Sequence, residues 1–479
     1  MTRSLIVVSL VALCCACGGS SGGGGLGGGP GGGSGGGFNP SCSNLTCDAK
    51  ATCDSSTGFP RCVCPTGYED VNHNGSSCTD IDECAATTSP CAQGASCTNT
   101  EGSFTCACGP GFTGDGQTCT RSSSWLDISP GQSEFSCSIL TGGSLWCLGR
   151  ADQGRLGTSA SSRQYAPARV GTASDWTQVS SGYAHGCALK ADHSVYCWGD
   201  NQFGEAGIDP ATNPAIGPHQ VGADNDWEKV SAGVDHTCAT KSNHTAWCWG
   251  LNSKGQLGAG KPYGTISDVA VQVGTDNTWK VVSAGGLQSC GVKQDGSLWC
   301  WGSNTAGQMG IGNNGTTQSN VALRVGTATW NTVSAGADFS CAIKTDGTLW
   351  CWGKNGSGQL CAGGNVFGDQ YDPVQAGTDN TWADVSAGGD HTCAKKSDGS
   401  IWCCGGNAHG QLGNNTTSTS ATRDLVRVGT DSDWVSVKAG ATHTCGTRPN
   451  GAVYCWGDNG DGELGTLGAT DSSTPIQLQ

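Results

Sequence analysis

WKVVSAGGLQSCGVKQDGSLWCWGSNTAGQMG, residues 279–310, decides the fold of this chain. Trp279-Lys280-Val281-Val282-Ser283 is short, rich in β-branched residues and followed by glycine, as expected of a strand ending in a turn. Gln288 to Lys293 and Ser297 to Trp301 read as two more strands around Gln294-Asp295-Gly296. A three-residue hairpin loop with glycine last fits a type I turn closed by a left-handed residue. That register sets Cys290 opposite Cys300, Gly291 opposite Trp299 and Val292 opposite Leu298. Directly opposed β carbons on antiparallel strands lie close enough for a disulfide, so the spacing is a cross-strand staple.

The same pattern recurs seven times. The cysteine pairs are Cys137–Cys147, Cys187–Cys197, Cys238–Cys248, Cys290–Cys300, Cys341–Cys351, Cys393–Cys403 and Cys445–Cys455. Each copy opens on a tryptophan (Trp125, Trp176, Trp227, Trp279, Trp330, Trp382, Trp434), 51 or 52 residues after the last. A fixed period of this length means stacked or radial units that cannot bury their apolar faces alone. A fourth strand is expected before each later tryptophan, for example Val271-Gln272-Val273 and Leu323-Arg324-Val325. No such segment precedes Trp125, whereas Pro475-Ile476-Gln477-Leu478-Gln479 is surplus at the other end. The expectation is an all-β, closed ring in which this tail crosses back to complete the first sheet and remove an exposed edge.

Val230-Ser231-Ala232-Gly233, His236-Thr237-Cys238-Ala239, Trp249-Gly250-Leu251-Asn252 and Gly255-Gln256-Leu257-Gly258 carry a specific likeness. They resemble the repeat of the regulator of chromosome condensation family, which implies a seven-bladed β-propeller over residues 121–479. The chain departs from the nuclear members in its blade cysteines, which an intracellular setting would keep reduced.

The front of the chain differs. Met1-Thr2-Arg3, the apolar run Ser4 to Leu13 and Cys14-Cys15-Ala16-Cys17 resemble a bacterial lipoprotein signal over residues 1–17, with Cys17 the lipidated residue. Cys14 stands where leucine is usual, so Cys15 or ordinary cleavage stays open. Residues 18–38 are a glycine-rich linker, with fifteen glycines between Gly18 and Gly37. Such a coil reaches roughly 25 Å and serves as a tether.

Two clusters of six cysteines follow, in residues 39–79 and 80–120. Each is too small for a core of its own and reads as a disulfide-held module, with fifteen connectivities open from spacing alone. The single residue between the fourth and fifth cysteines, with Cys108-Gly109-Pro110-Gly111-Phe112, resembles the epidermal growth factor module. That likeness implies Cys42–Cys53, Cys47–Cys62 and Cys64–Cys78, then Cys84–Cys97, Cys91–Cys106 and Cys108–Cys119. Asp80-Ile81-Asp82-Glu83, with Asn99 and Phe104, resembles the calcium-binding version of the module. The resemblance implies side-chain ligands from Asp80, Glu83 and Asn99 and backbone oxygens from Ile81, Thr100 and Ser103, the hard-oxygen set that calcium requires. Phe38-Asn39-Pro40-Ser41 at the matching place in the first module lacks these acids.

All 31 cysteines now have a place except Cys361 and Cys404. Cys361 replaces the last glycine of the Gly-x-Leu-Gly turn in the fifth copy, and Cys404 replaces a tryptophan in the sixth. In an oxidising compartment two leftovers in adjacent copies favour a bridge Cys361–Cys404 over two buried thiols. The net charge of −15 without a basic patch excludes nucleic acid as a partner class. All 17 tryptophans lie in the ring at period-locked positions, which argues for packing rather than sugar stacking. His185, His236, His391 and His443 share one repeat position that holds Phe135, Gln288 and Phe339 elsewhere, so they read as structural within the strand.

No nucleophile, zinc or phosphate motif stands out, and the reading is a non-enzyme. The expected function is an exported, lipid-anchored binding or adhesion protein of the bacterial outer membrane or cell surface. A calcium-binding stalk would carry a propeller head for an unidentified protein or glycan, with the membrane touched only through the lipid. The alternatives are a secreted propeller that inhibits a partner enzyme, and a propeller enzyme such as a lyase. Recognition would reside in the variable connections, which carry Tyr165, Tyr263, Phe367 and Tyr371.

Overall fold

The computed structural model describes residues 42, 45–56, 59–86, 89–92, 95–109, 112–121, 124–313, 315–466 and 468–478. The signal segment with Cys17, the glycine-rich linker and Phe38-Asn39-Pro40-Ser41 lie outside the described residues. The chain divides into two units, Met1–Ile81 and Asp82–Gln479.

In the first unit, Thr52–Asp54 pairs with Arg61–Val63 and Tyr68–Asp70 with Cys78–Asp80. Disulfides join Cys42–Cys53, Cys47–Cys62 and Cys64–Cys78. The second unit begins with a module of the same kind, built on the hairpin Ser96–Thr100 and Ser103–Ala107 and bridged at Cys84–Cys97, Cys91–Cys106 and Cys108–Cys119.

Seven four-stranded antiparallel sheets follow, the blades of an all-β propeller. In blade 4 the strands are Trp279–Ala284, Gln288–Lys293, Leu298–Ser303 and Gln318–Arg324. Cys290 faces Cys300, Gly291 faces Trp299 and Val292 faces Leu298, and Gly296 closes the hairpin at φ +80. The blade disulfides span Cα–Cα distances of 4.0–4.1 Å, the close approach of directly opposed residues.

The fourth strand overturns the expected closure. Gln164–Arg169 pairs with Leu145–Gly149 of its own copy, so blade 1 is complete without the tail. Ser472–Gln477 pairs with Val453–Gly457 and completes blade 7. Each strand before a tryptophan therefore belongs to the blade behind it, and each blade is one continuous stretch of chain. The physical reason is adjacency: the chain leaving the third strand returns antiparallel beside it, the commonest pairing of successive strands.

The ring closes without strand exchange. The N–H groups of Gln132, Tyr183, Val234, Gly286, Ala337, Gly389 and Ala441 donate to the carbonyls of Gly182, Gly233, Gly285, Gly336, Gly388, Gly440 and Gly131, at 2.9–3.1 Å. The seventh bond joins blade 7 to blade 1 like the other six. Glycine is required here by close approach: a Cβ on Gly182, Gly233, Gly285, Gly336, Gly388 or Gly440 would collide with the next carbonyl oxygen. Leu478 adds an apolar seal, buried with Leu148 and Trp125 of blade 1.

The tryptophans pack, as their periodicity implied. The seven opening tryptophans are buried, and those of blades 3, 4, 5 and 7 meet a second indole at 5.6–6.0 Å. A cation that ends the second strand in blades 2 to 6, or directly follows it in blade 7, lies over the opening indole: Lys190, Lys241, Lys293, Lys344, Lys396 or Arg448. Among the described residues no helix is long and apolar enough to cross a membrane.

Candidate calcium motif and propeller surfaces

The proposed calcium ligands divide between the two units. In the first, Asp80 ends the strand Cys78–Asp80 opposite Tyr68, and the Ile81 N–H donates to the Gly67 carbonyl at 3.0 Å. In the second, Glu83 opens a short 3-10 turn, Glu83–Ala85. Asp82 caps that turn, its Oδ1 accepting from the N–H groups of Cys84 (3.0 Å) and Ala85 (3.2 Å). Glu83 Oε2 is buried with no hydrogen-bond partner among the described residues, the state of an oxygen that a cation would satisfy. The hairpin sets Asn99 opposite Phe104 and Thr100 opposite Ser103, with the Thr100 hydroxyl donating to the Ser103 carbonyl at 2.8 Å. The donor set is all oxygen, and the orphaned Glu83 atom fits a hard dication.

The shared histidines reach further than a role within their own strand. His185, His236, His391 and His443 are wholly buried. Each Nε2 lies 2.8–2.9 Å from a hydroxyl of the following blade: Thr237, Ser289, Thr444 and Ser136. Thr237, Ser289 and Thr444 donate their own protons to the carbonyls of Glu205, Gln256 and Gln411. Those hydroxyls must therefore accept from histidine, which fixes the Nε2–H tautomer at His185, His236 and His391. Burial lowers the four imidazoles, His236 to about 3 and the others to about 4. They are neutral clamps between blades.

At the Gly-x-Leu-Gly turn a side-chain oxygen accepts the N–H two residues earlier. Gln256, Gln308, Gln359 and Gln411 do this at 2.8–3.0 Å. Glu205 and Glu463 take the same role at 2.7 and 3.0 Å. Burial pushes both glutamates up to about 7, so they approach the neutrality of the glutamine they replace.

The axis of the ring holds a cavity of about 290 Å³ lined by the first strands, with Asp127, Lys229, Asp384 and Lys438 its charged residues. Ser129, Ser180, Ser231, Ser283, Ser334 and Ser386 each accept the N–H of the next blade at 2.9–3.0 Å. The seventh link is missing on both sides, because Lys438 stands in the serine place and Pro130 has no N–H to give. Burial raises the Asp127 carboxyl, opposed by the Val179 N–H and the charge of Lys438.

Sequence reading missed His409. Its Nδ1 lies 2.8 Å from Asp471 and 3.8 Å from Asp458, tying the blade 6 turn to blade 7. The pair arises from residues 62 positions apart, so only the ring reveals it. Of the loop aromatics, Phe367 is 69% exposed and Tyr263 44%, whereas the Tyr371 hydroxyl donates to the Thr305 carbonyl at 3.1 Å. Tyr165 lies beside Arg163 and Asp461 in a separate surface cavity.

Comparison with known proteins places this geometry. The calcium-binding EGF domain matches residues 80–119. The Regulator of chromosome condensation (RCC1) repeat matches residues 142–189, 192–240, 295–343, 346–394 and 398–446, together half of the chain, and a second form of that repeat matches six stretches between 176 and 463. The Ultraviolet-B receptor UVR8 of Arabidopsis thaliana is 28% identical over 63% of this chain and 69% of its own length. The E3 ubiquitin-protein ligase HERC2 of Homo sapiens is 26% identical over 66% of this chain, which spans only 7% of that ligase. Among solved structures, Prp20p of Saccharomyces cerevisiae superposes with a TM-score of 0.63 at 19% identity, covering 74% of this chain and 87% of its own. Human WBSCR16 gives 0.62 at 19% identity, covering 70% and 93%. With the repeat matched across half of its length and the same ring in space, this chain belongs to the regulator of chromosome condensation repeat family.

Proposed function

We propose that this chain is an exported, lipid-anchored binding or adhesion protein of a bacterial surface. Its calcium-binding module forms part of a stalk, and its ring is the head that engages a protein or glycan partner. One observation carries the reading: the residues that repeat are spent on the ring itself, and those that vary are left at the surface. The repeated histidines, serines and glycines are consumed in bonds between blades. Phe367 and Tyr263, outside the repeated pattern, are exposed on connections between strands. The fourteen disulfides among the described residues support an oxidising compartment. A calcium ion would be held by Asp80, Glu83, Asn99 and the carbonyls of Ile81, Thr100 and Ser103. The Prp20p structure is described with its binding to Gsp1p and histones, a precedent for protein partners on this scaffold.

The test is photo-crosslinking on intact cells from full-length protein carrying the probe at Tyr263 or Phe367, with a hairpin control at Asn243. A discrete, competable adduct from the loop positions alone supports the reading, and adducts equal to the control overturn it. Protease treatment of the same cells releases the ring if it faces outward.

A further inference from the structure

At five of the seven contacts between blades the same three residues fill the space where one blade's turn meets the next sheet. Gly157, Gly207, Gly258, Gly310 and Gly413 lie against the indoles of Trp198, Trp249, Trp301, Trp352 and Trp456, where an added Cβ would meet the ring at 2.7–3.2 Å. Each indole N–H donates to a turn carbonyl at 2.8–3.0 Å. A buried valine completes each set: Val170, Val221, Val273, Val325 or Val428. Between blades 7 and 1, Leu148 replaces the tryptophan, and the larger Leu478 replaces the valine and refills the space.

The contact between blades 5 and 6 loses volume twice. Cys404 stands for the tryptophan and Ala376 for the valine, while Cys361 in place of glycine and Leu425, where blades 3 and 4 have Ala270 and Ala322, add atoms back. The Cys361–Cys404 disulfide holds the two blades together there, with Cys361 in the left-handed region at φ +56. Beside it opens a cavity of about 390 Å³. One wall is Trp382, Trp402 and Leu425, and the polar lining includes Gln375, Asp379 and Asp424. This mixture of an aromatic wall and a few polar groups is that of a small-molecule site.

The charges decide which ligand fits. Lys396 already lies over the rings of Trp382 (5.1 Å) and Trp402 (4.4 Å) and pairs with Asp379 at 2.8 Å. The cation seat is filled and Asp379 is neutralised, so a second cation would be repelled. Asp424 makes no hydrogen bond or ion pair among the described residues and is exposed at the rim. What remains is an apolar wall, a free carboxylate acceptor and an amide. We propose that this pocket binds a single neutral pyranose ring, its C–H face on Trp402 and Leu425 and its hydroxyls donating to Asp424. The pocket shares its connection with Phe367, but binding of a sugar there does not depend on the partner surface proposed above.

Full-length protein is titrated with neutral methyl pyranosides, with oligosaccharides ending in the same rings and with choline, following tryptophan fluorescence and ligand-observed NMR. A saturable response to at least one neutral pyranoside is expected, weakened at least tenfold by Asp424→Ala. Ala362→Trp places a bulky ring in the lining itself and should abolish it. If that variant fails to fold, Gln375→Ala joined to Asp424→Ala carries the test. Oligosaccharides binding as well as the monosaccharide identify a glycan end, and weaker binding identifies a free sugar. No saturable response from any neutral pyranoside overturns the proposal. So does a response that survives filling of the pocket, or a stronger response to choline.

Discussion

At the residue scale, the ring holds two sets of buried titratable groups with opposite pH signs. Glu205 and Glu463 are raised by burial from 4.5 to about 7. Their contribution to stability is complete below pH 4.5 and is lost as pH rises through 7. Replacing both by glutamine should raise the melting temperature at pH 8 and leave it nearly unchanged at pH 4.5, as calorimetry at the two pH values would show. The histidine clamps behave oppositely: lowered from 6.5 to about 3 or 4, they contribute fully above pH 6.5 and fail as pH falls toward 4. Blade 4 supplies a neutral alternative in Gln288, whose amide donates to the Gly336 and Phe339 carbonyls at 2.9 and 3.1 Å. His236→Gln should therefore flatten part of the acid limb in urea unfolding series between pH 6.5 and 4. The clamp position was visible in the sequence as a repeat. Its partner was not, because the bond runs to a residue 52 or 53 positions ahead.

At the scale of elements, the stapled hairpin was legible to the residue pair. A two-residue period and a glycine turn leave one register that opposes two cysteines ten apart. Cys290→Ser with Cys300→Ser should cost about 2 to 4 kcal/mol in denaturant unfolding, most of it from freeing the unfolded chain. Loss below about 1 kcal/mol would mean that the sheet holds without the staple. The owner of the fourth strand was not legible. Six such strands precede a tryptophan and one follows the last, a count that fits assignment to either neighbour. In the calcium-binding module the sequence motif named the expected donors, and the structure adds that one of them, Glu83, carries an orphaned buried oxygen. Glu83→Gln should weaken calcium binding at least tenfold in titrations of the full chain, with the ring's melting unchanged.

At the scale of the whole molecule, the ring is closed by repetition rather than by a clasp, and one of its circuits is incomplete. Serine hydroxyls link the inner strands at six junctions, while Lys438 and Pro130 break the seventh. Lys438→Ser alone meets a proline without N–H, and Pro130→Ala alone gives an N–H without an acceptor. Only the double variant restores the bond, so a double-mutant cycle should show a favourable coupling of about 0.5–1.5 kcal/mol. Additive effects would show that the seam does not need it. What the ring recognises lies beyond the repeat pattern, because period reveals the residues that build the wall and is silent on those that differ.

The uninterrupted course of each blade has a genetic consequence. An in-frame duplication or deletion of one period adds or removes a whole panel with its own covalent bolt, and no neighbouring sheet loses a strand. A cylinder whose ends shared a panel would be torn by the same event. The circumference is then fixed by the wedge angle at which one glycine meets the next, and chain termini have no vote in it.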